Sequence, residues 1–195
     1  MTVRLHAVAL VLAAMYPAAS MANEPEESSV LTPSEIPAAL SATSVDWTGF
    51  SVGLELGYAP DVDGASGAIY GAKLAWDYDF GDYIAGVFLQ HTRSGLEIDP
   101  GFEIYYSRLG ARGGIESGLN MFYASVGYGV IDTHARGNIN PGKGNGYFVG
   151  LGYERFIRES VTIGAEVVHS EFSDFSRDYG DLDVTTLALL LNYRF

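Results

Sequence analysis

The sequence predicts an all-β fold, an eight-stranded antiparallel up-and-down transmembrane β-barrel over residues 47–195. Three observations carry this prediction. The chain ends on a stretch in which Leu187, Leu189, Leu191, Tyr193 and Phe195 share one strand face, while Ala188, Leu190, Asn192 and Arg194 share the other. Seven earlier segments repeat that alternation with glycine-rich or polar partners. The chain is 48% hydrophobic, with 24 Gly and 13 Tyr, yet nothing after the first 22 residues has the unbroken apolar run of a spanning helix. Hydrophobicity spread over alternate positions suits a barrel wall facing lipid. On a soluble protein an exposed apolar terminal strand would invite aggregation.

Residues 1–22 come first. Arg4 and His6 precede an apolar run from Ala7 to Met15, then Pro17 and the small-x-small ending Ser20-Met21-Ala22. This is the order of a secretory signal peptide, with cleavage expected after Ala22. Its removal takes Lys+Arg from 11 to 10 and leaves Asp+Glu at 24, a mature net charge of −14. That balance excludes nucleic acid as a partner, whose phosphates require basic surfaces. Cys is absent, so no disulfide framework supports the exported chain. Residues 23–46 are acidic and turn-prone, with Pro33 and Pro37, and read as a flexible periplasmic extension.

The strands follow in order. In the first, Phe50, Val52, Leu54, Leu56 and Tyr58 oppose Gly49, Ser51, Gly53, Glu55 and Gly57. The second sets Ala68, Tyr70, Ala72, Leu74, Trp76, Tyr78 and Phe80 against Lys73, Asp77 and Asp79. The third sets Tyr83, Ala85, Val87 and Leu89 against Gly86 and Gln90, with Phe88 in the polar phase. The fourth has Tyr105, Leu109 and Ala111 opposite Arg108 and Arg112. The fifth runs Phe122 to Val130 against Tyr123, Ser125, Gly127 and Gly129. The sixth sets Tyr147, Val149, Leu151 and Tyr153 against Gly146, Gly150, Gly152 and Glu154. The seventh sets Val161, Ile163, Ala165 and Val167 against Thr162, Gly164 and Glu166, and the eighth is the terminal strand.

Connections alternate in length. Those at Phe80–Asp82, Ile115–Asn120 and Ile157–Ser160 are tight, whereas Ser94–Phe102, Asp132–Gly144 and Phe172–Asp183 are long. Short periplasmic turns and long external loops are the rule for such barrels, which puts both termini in the periplasm. Aromatics collect into two girdles. One comprises Trp47, Phe50, Trp76, Tyr78, Phe80, Tyr83, Phe122, Tyr153, Phe156, Tyr193 and Phe195; the other comprises Tyr58, Tyr70, Tyr105, Tyr128 and Tyr147.

Trp47-Thr48-Gly49-Phe50-Ser51-Val52-Gly53 resembles the opening strand of the small outer-membrane β-barrel proteins of Gram-negative bacteria, the "porin family" or OmpA-like transmembrane barrels. Tyr106 to Gly114 resembles their fourth strand, with its inward arginines. Gly146 to Glu154, Gly164-Ala165-Glu166 and Tyr193-Arg194-Phe195 resemble their last three strands. The resemblance implies residence in the outer membrane, contact with its lipids and lipopolysaccharide, and a structural or surface-interaction role. It also implies that Leu187, Leu189, Leu191, Tyr193 and Phe195 form the signal read by the barrel assembly machinery.

An eight-stranded barrel is only wide enough for its own side chains. The inward polar set, Glu55, Lys73, Asp77, Asp79, Gln90, Arg108, Arg112, Glu154, Glu166, Asn192 and Arg194, is therefore expected to pair internally. Arg108 and Arg112 are expected to find acids such as Glu55 or Glu166 across the lumen. A narrow porin-like channel for ions or small solutes is the alternative, because inward glycines such as Gly49, Gly53, Gly57, Gly127, Gly129, Gly150, Gly152 and Gly164 leave room for water. A lipid A-modifying enzyme is the third reading. Its one cluster is Glu166, His169, Ser170 and Glu171, which strand alternation would split between two faces. No enzyme, cofactor or metal site is expected. Asp61, Asp63, Asp174, Asp178, Asp181 and Asp183 offer oxygen ligands but read as solvated loop acids, and the ligand of the outer loops is not encoded in any recognisable motif.

Overall fold

The computed structural model describes residues 45–62, 65–96, 103–134, 142–173 and 181–195. In chain order its strands are β1 (Gly49–Val62), β2 (Ala65–Asp79), β3 (Tyr83–Leu96), β4 (Glu103–Ser117), β5 (Asn120–His134), β6 (Lys143–Arg158), β7 (Val161–Ser173) and β8 (Leu182–Arg194). Each pairs antiparallel with the next, and β8 pairs antiparallel with β1, closing the barrel. The expected leader and residues 23–44 lie outside the described residues, as do Asp63, Asp174, Asp178 and the side chains of Asp61 and His134.

Closure follows from the alternation. Each strand must bury one face against the lumen and leave the other apolar, and only a ring of such strands leaves no unpaired backbone edge. The outward face carries Phe50, Leu54, Leu56, Leu74, Leu89, Leu109, Val126, Leu151 and Leu189, all exposed. The terminal stripe lies on that face: Leu187, Leu189, Leu191, Tyr193 and Phe195 point outward, while Leu190, Asn192 and Arg194 are buried. The seam is tightened at Gly49, whose φ is +141° and where a side chain would collide with the carbonyl oxygen of Phe195. The Phe195 amide in turn donates to the Phe50 carbonyl at 2.9 Å.

Strand lengths depart from expectation. The strands run from 13 to 16 residues, against the roughly 9–11 needed to cross a bilayer. The excess falls largely at the long-connection end. There β3 continues to Leu96 and β8 begins at Leu182, inside stretches that the turn residues marked as loop. The outward face turns polar past the tyrosines, with His169, Glu171, Asp183 and Thr185 on β7 and β8. Inward Thr92, Ser94, Ile104, Ile131, Phe172 and Val184 keep the ladder packed beyond the lipid-facing belt.

The two girdles form, with a correction. Tyr78–Phe80, Tyr193–Phe195 and Phe122–Tyr153 make ring contacts at 4.7, 5.0 and 5.0 Å on one side, and Tyr128–Tyr147 at 5.4 Å on the other. Trp47 and Phe156, placed with the first girdle by sequence position, instead point into the lumen and are buried. Trp47 precedes β1, so strand phase does not govern it. Phe156 follows the alternation of β6, in which Glu154 is also inward.

A barrel closed by hydrogen bonds all round should resist SDS until heated. Unboiled chain spanning residues 23–195 is expected to migrate faster than boiled chain on a detergent gel. Identical migration of the two samples would contradict the closed ladder.

Candidate functional site

The lumen is where the sequence concentrates its unusual chemistry. Lys73, Arg108, Arg112 and Arg194 face Glu55, Asp77, Glu154 and Glu166, all eight buried, and among the described residues the buried charges cancel. Charges removed from water persist only when paired and hydrogen-bonded, and the pairing here is arranged in two layers.

The layer nearer the short turns centres on Arg112. Its Nε and Nη2 donate to the two carboxylate oxygens of Asp77 at 2.8 and 2.6 Å, and Nη1 donates to Glu154 Oε1 at 2.6 Å. A bidentate guanidinium–carboxylate pair adds directional strength to the charge attraction. Arg194 Nη2 donates to Asp77 Oδ2 at 2.9 Å and also to the Trp47 carbonyl. Thr162 donates to Glu154 at 3.3 Å and accepts from the Asn192 amide at 3.1 Å.

The middle layer centres on Glu55 and Glu166. Lys73 Nζ and the Tyr123 hydroxyl donate to Glu166 Oε2 at 2.8 and 2.7 Å. Thr92 donates to Glu55 Oε2 at 2.8 Å, and Gln90 donates to the same oxygen. Arg108 lies between the two acids, at 3.7 Å from Glu55 and 3.6 Å from Glu166. Its remaining support comes from the rings of Tyr106 and Phe148, 5.3 and 5.4 Å from the guanidinium carbon.

Every residue of the predicted lumen network is thus buried in it: Glu55, Lys73, Asp77, Gln90, Arg108, Arg112, Glu166 and Arg194. Arg108 lies beside Glu55 and Glu166, the acids named as examples, whereas Arg112 pairs with two other inward acids, Asp77 and Glu154. Four residues along a strand span about 13 Å, which sets the two arginines in separate layers. Asp79 is not in either layer. It sits at the rim, where its carboxylate accepts from the Trp47 and Gly81 amides at 3.1 and 2.7 Å.

The expectation that inward glycines leave room for water is corrected by the register. Phe88 faces Gly110, Tyr123 faces Gly114 and Gly152, Phe148 faces Gly127, and Phe172 faces Gly146 across neighbouring strands. A methyl group added at Gly127 would lie 2.8 Å from the Phe148 ring, and one at Gly129 would lie 2.6 Å from the Tyr106 ring. Gly110, Gly127, Gly129 and Gly152 are thus seats of aromatic rings, whereas Gly53 and Gly150 meet the Asn192 and Ser125 side chains and Gly49, Gly57 and Gly146 meet neighbouring backbone. Lys73 caps the Phe88 ring at 4.5 Å, so the rings also serve the charges.

Trp47 completes the filling. It is fully buried at the short-turn end against Ile84, Met121, Tyr123 and Phe156, with its ring 4.5 Å from that of Phe156 and 5.1 Å from the Arg194 guanidinium. Just outside, the Thr48 hydroxyl and amide donate to Asp46 and hold that carboxyl below its usual range. At the opposite end Ala59, Ile69, Ile104, Tyr106, Ile131, Phe172 and Val184 line a cavity of about 30 Å³, room for no more than a water or two. The sequence carried a signal for two of these rings: Phe88 and Tyr123 lie in the phase otherwise given to glycine and charge. Nothing in the sequence marked Trp47 as a stopper.

The Glu166, His169, Ser170, Glu171 cluster does not assemble. β7 runs through it, so Glu166 and Ser170 point inward while His169 and Glu171 point outward. The Ser170 hydroxyl is 2.8 Å from the Tyr106 hydroxyl, and no base is within reach of it among the described residues.

The two layers differ in how tightly they hold their arginines, which makes them separable. Arg112→Met strands Glu154 and part of Asp77 and is expected to cost about 3–5 kcal/mol. Arg108→Met leaves Glu55 with Gln90 and Thr92, and Glu166 with Lys73 and Tyr123, and is expected to cost less. Urea unfolding of the refolded barrel in detergent measures both; an equal or reversed order would show that the short pairs are not the stronger ones.

Residues 7–195 match the family model described as "Outer membrane protein beta-barrel domain". Among solved structures, the chain is similar to Neisserial surface protein A, at 14% identity and a TM-score of 0.59, covering 76% of this chain and 98% of that one. It is similar to Ail, the attachment invasion locus protein of Yersinia pestis, at 19% identity and a TM-score of 0.52, covering 76% and 99%. The outer membrane enzyme PagL is similar at 12% identity and a TM-score of 0.51, covering 74% and 99%. At these identities the likeness is one of fold. No curated protein sequence matches. With almost the whole chain matched by the family model and the ring of eight strands closed, the protein belongs to the outer-membrane β-barrel family.

Proposed function

We propose that this outer-membrane barrel is a non-conducting structural or surface-interaction protein, exported by residues 1–22, with both termini in the periplasm and its long-connection end facing outward. The observation that carries the reading is the filled lumen. Two layers of paired charge, aromatic rings seated on glycines, and Trp47 at one end occupy the lumen between the strands. A barrel that invests its interior in packing has its walls and projecting strand ends left for interaction. The extended strands at the long-connection end are consistent with presenting a surface there, and Neisserial surface protein A and Ail, whose names place them at the cell surface or in attachment, share the fold.

Assembly through the terminal strand belongs to the same reading. Leu187, Leu189, Leu191, Tyr193 and Phe195 offer one continuous apolar edge face to the assembly machinery before β8 closes on β1. Deletion of Phe195 is expected to lower the amount of heat-modifiable barrel in cells, while the purified chain still refolds in detergent. An unchanged cellular level would argue against the terminal signal.

Conductance tests the main proposal. The purified barrel in a planar bilayer is expected to give no steady single-channel steps. Reproducible steps from barrel that is heat-modifiable on a gel would overturn it in favour of a solute channel.

A further inference from the structure

We propose that His169, Glu171 and Asp183 form a site for one divalent first-row transition ion of the zinc class, on the outer wall of β7 and β8. The site starts from register. Glu171 on β7 stands directly opposite Asp183 on β8, and His169 directly opposite Thr185. All four are outward-facing, because β7 alternates without interruption through this region. Asp183, which reads in the sequence as one of several solvated loop acids, is a strand residue facing another carboxylate. Like charges directly opposite on a sheet face repel, so this pair gains from any cation held between them.

The histidine is positioned to complete the set. Its Nδ1 lies 3.0 Å from the Thr185 hydroxyl, and its Nε2 lies 3.8 Å from Glu171 Oε1. One ring nitrogen is therefore occupied by a neighbour outside the set while the other is directed at the acids. This is how ligating histidines are commonly oriented. One ligand atom from each of the three residues falls within 4.8 Å of the other two. Metal bonds of about 2.0–2.2 Å set tetrahedral ligand atoms about 3.4 Å apart, so the three exposed side chains would close on the ion by rotating on their two-strand frame.

A second cross-strand histidine, His91, provides an internal contrast. His91 also faces a hydroxyl, with Nδ1 2.9 Å from Ser107 Oγ. Its neighbourhood, however, is the Tyr105 ring, 6.2 Å away, over which the Arg93 guanidinium lies at 5.4 Å. The histidine–hydroxyl pair is thus a recurring element of this wall, and the two opposed carboxylates are what distinguish the His169 site.

The donor set selects the ion. One imidazole with two carboxylates suits zinc and its first-row neighbours, whereas Ca²⁺ and Mg²⁺ prefer all-oxygen shells. Three protein ligands leave a coordination position open. Glu171 is also the cross-strand partner of Tyr147, so the site lies beside the aromatic girdle at the long-connection end.

The test uses full-length mature chain without an affinity tag, refolded in detergent and stripped of metal. Zn²⁺ is titrated calorimetrically and Co²⁺ by its visible absorption. One saturable zinc site per chain is expected. It should be lost in His169→Ala, weakened at least tenfold in Glu171→Gln and in Asp183→Asn, and retained in His91→Ala. Zn²⁺ should also raise the unfolding midpoint of the parent and not of His169→Ala. Heat-modifiable migration verifies that each variant is folded. Absence of saturable binding, binding by His169→Ala equal to the parent, or Ca²⁺ bound as tightly as Zn²⁺ would each overturn the proposal and leave an ion-paired or merely acidic patch.

Discussion

The closure of β8 onto β1 is the constraint on which the rest of this molecule depends. In hydrocarbon every backbone amide and carbonyl must find a protein partner, and an open eight-stranded sheet would leave two edges without one. Closure is local at the seam and also chemical. Gly49 admits the Phe195 carbonyl at a distance no side chain would allow. Arg194, the next-to-last residue, reaches inward to Asp77 on β2 and to the carbonyl of Trp47. The two ends of the barrel segment are therefore tied to each other and to the ion-pair layer in one arrangement.

Once closed, the ring sets a lumen too narrow for water-filled charge. Its interior must then be neutral, hydrogen-bonded and full. Arg112 meets this by spanning Asp77 and Glu154, and Glu166 by accepting from both Lys73 and Tyr123. Buried ion pairs are weak as sources of net stability but strict about geometry, because the loss of one partner leaves a charge stranded. The lumen network is accordingly read as fixing the register and packing of the staves. The pairing of inward rings with glycines extends the same logic: volume taken by Phe148 on β6 is volume given up at Gly127 on β5.

Much of this was legible in the sequence because a strand's side chains alternate with period two. Eight segments, their order, the outward apolar faces and the inward set from Glu55 to Arg194 all follow from phase alone. The terminal stripe from Leu187 to Phe195 likewise declares its lipid-facing side without any knowledge of its neighbours. Strand ends were less legible: Ser94, Phe172 and Asp183 read as turn or loop residues, yet backbone pairing past the membrane belt carries them into strands.

The sequence by itself determined the fold class, the membrane-facing surface and which charges turn inward, since these depend on local alternation and composition. Only the tertiary structure decided which of those charges meet. Arg112 finds Asp77 and Glu154, Trp47 enters the lumen and not the girdle, and Gly127, Gly129 and Gly152 seat aromatic rings. It also brought Glu171, Asp183 and His169 to one face. Partners across a barrel are fixed by register and strand tilt, which depend on how all eight strands close together and are carried by no single segment of the chain.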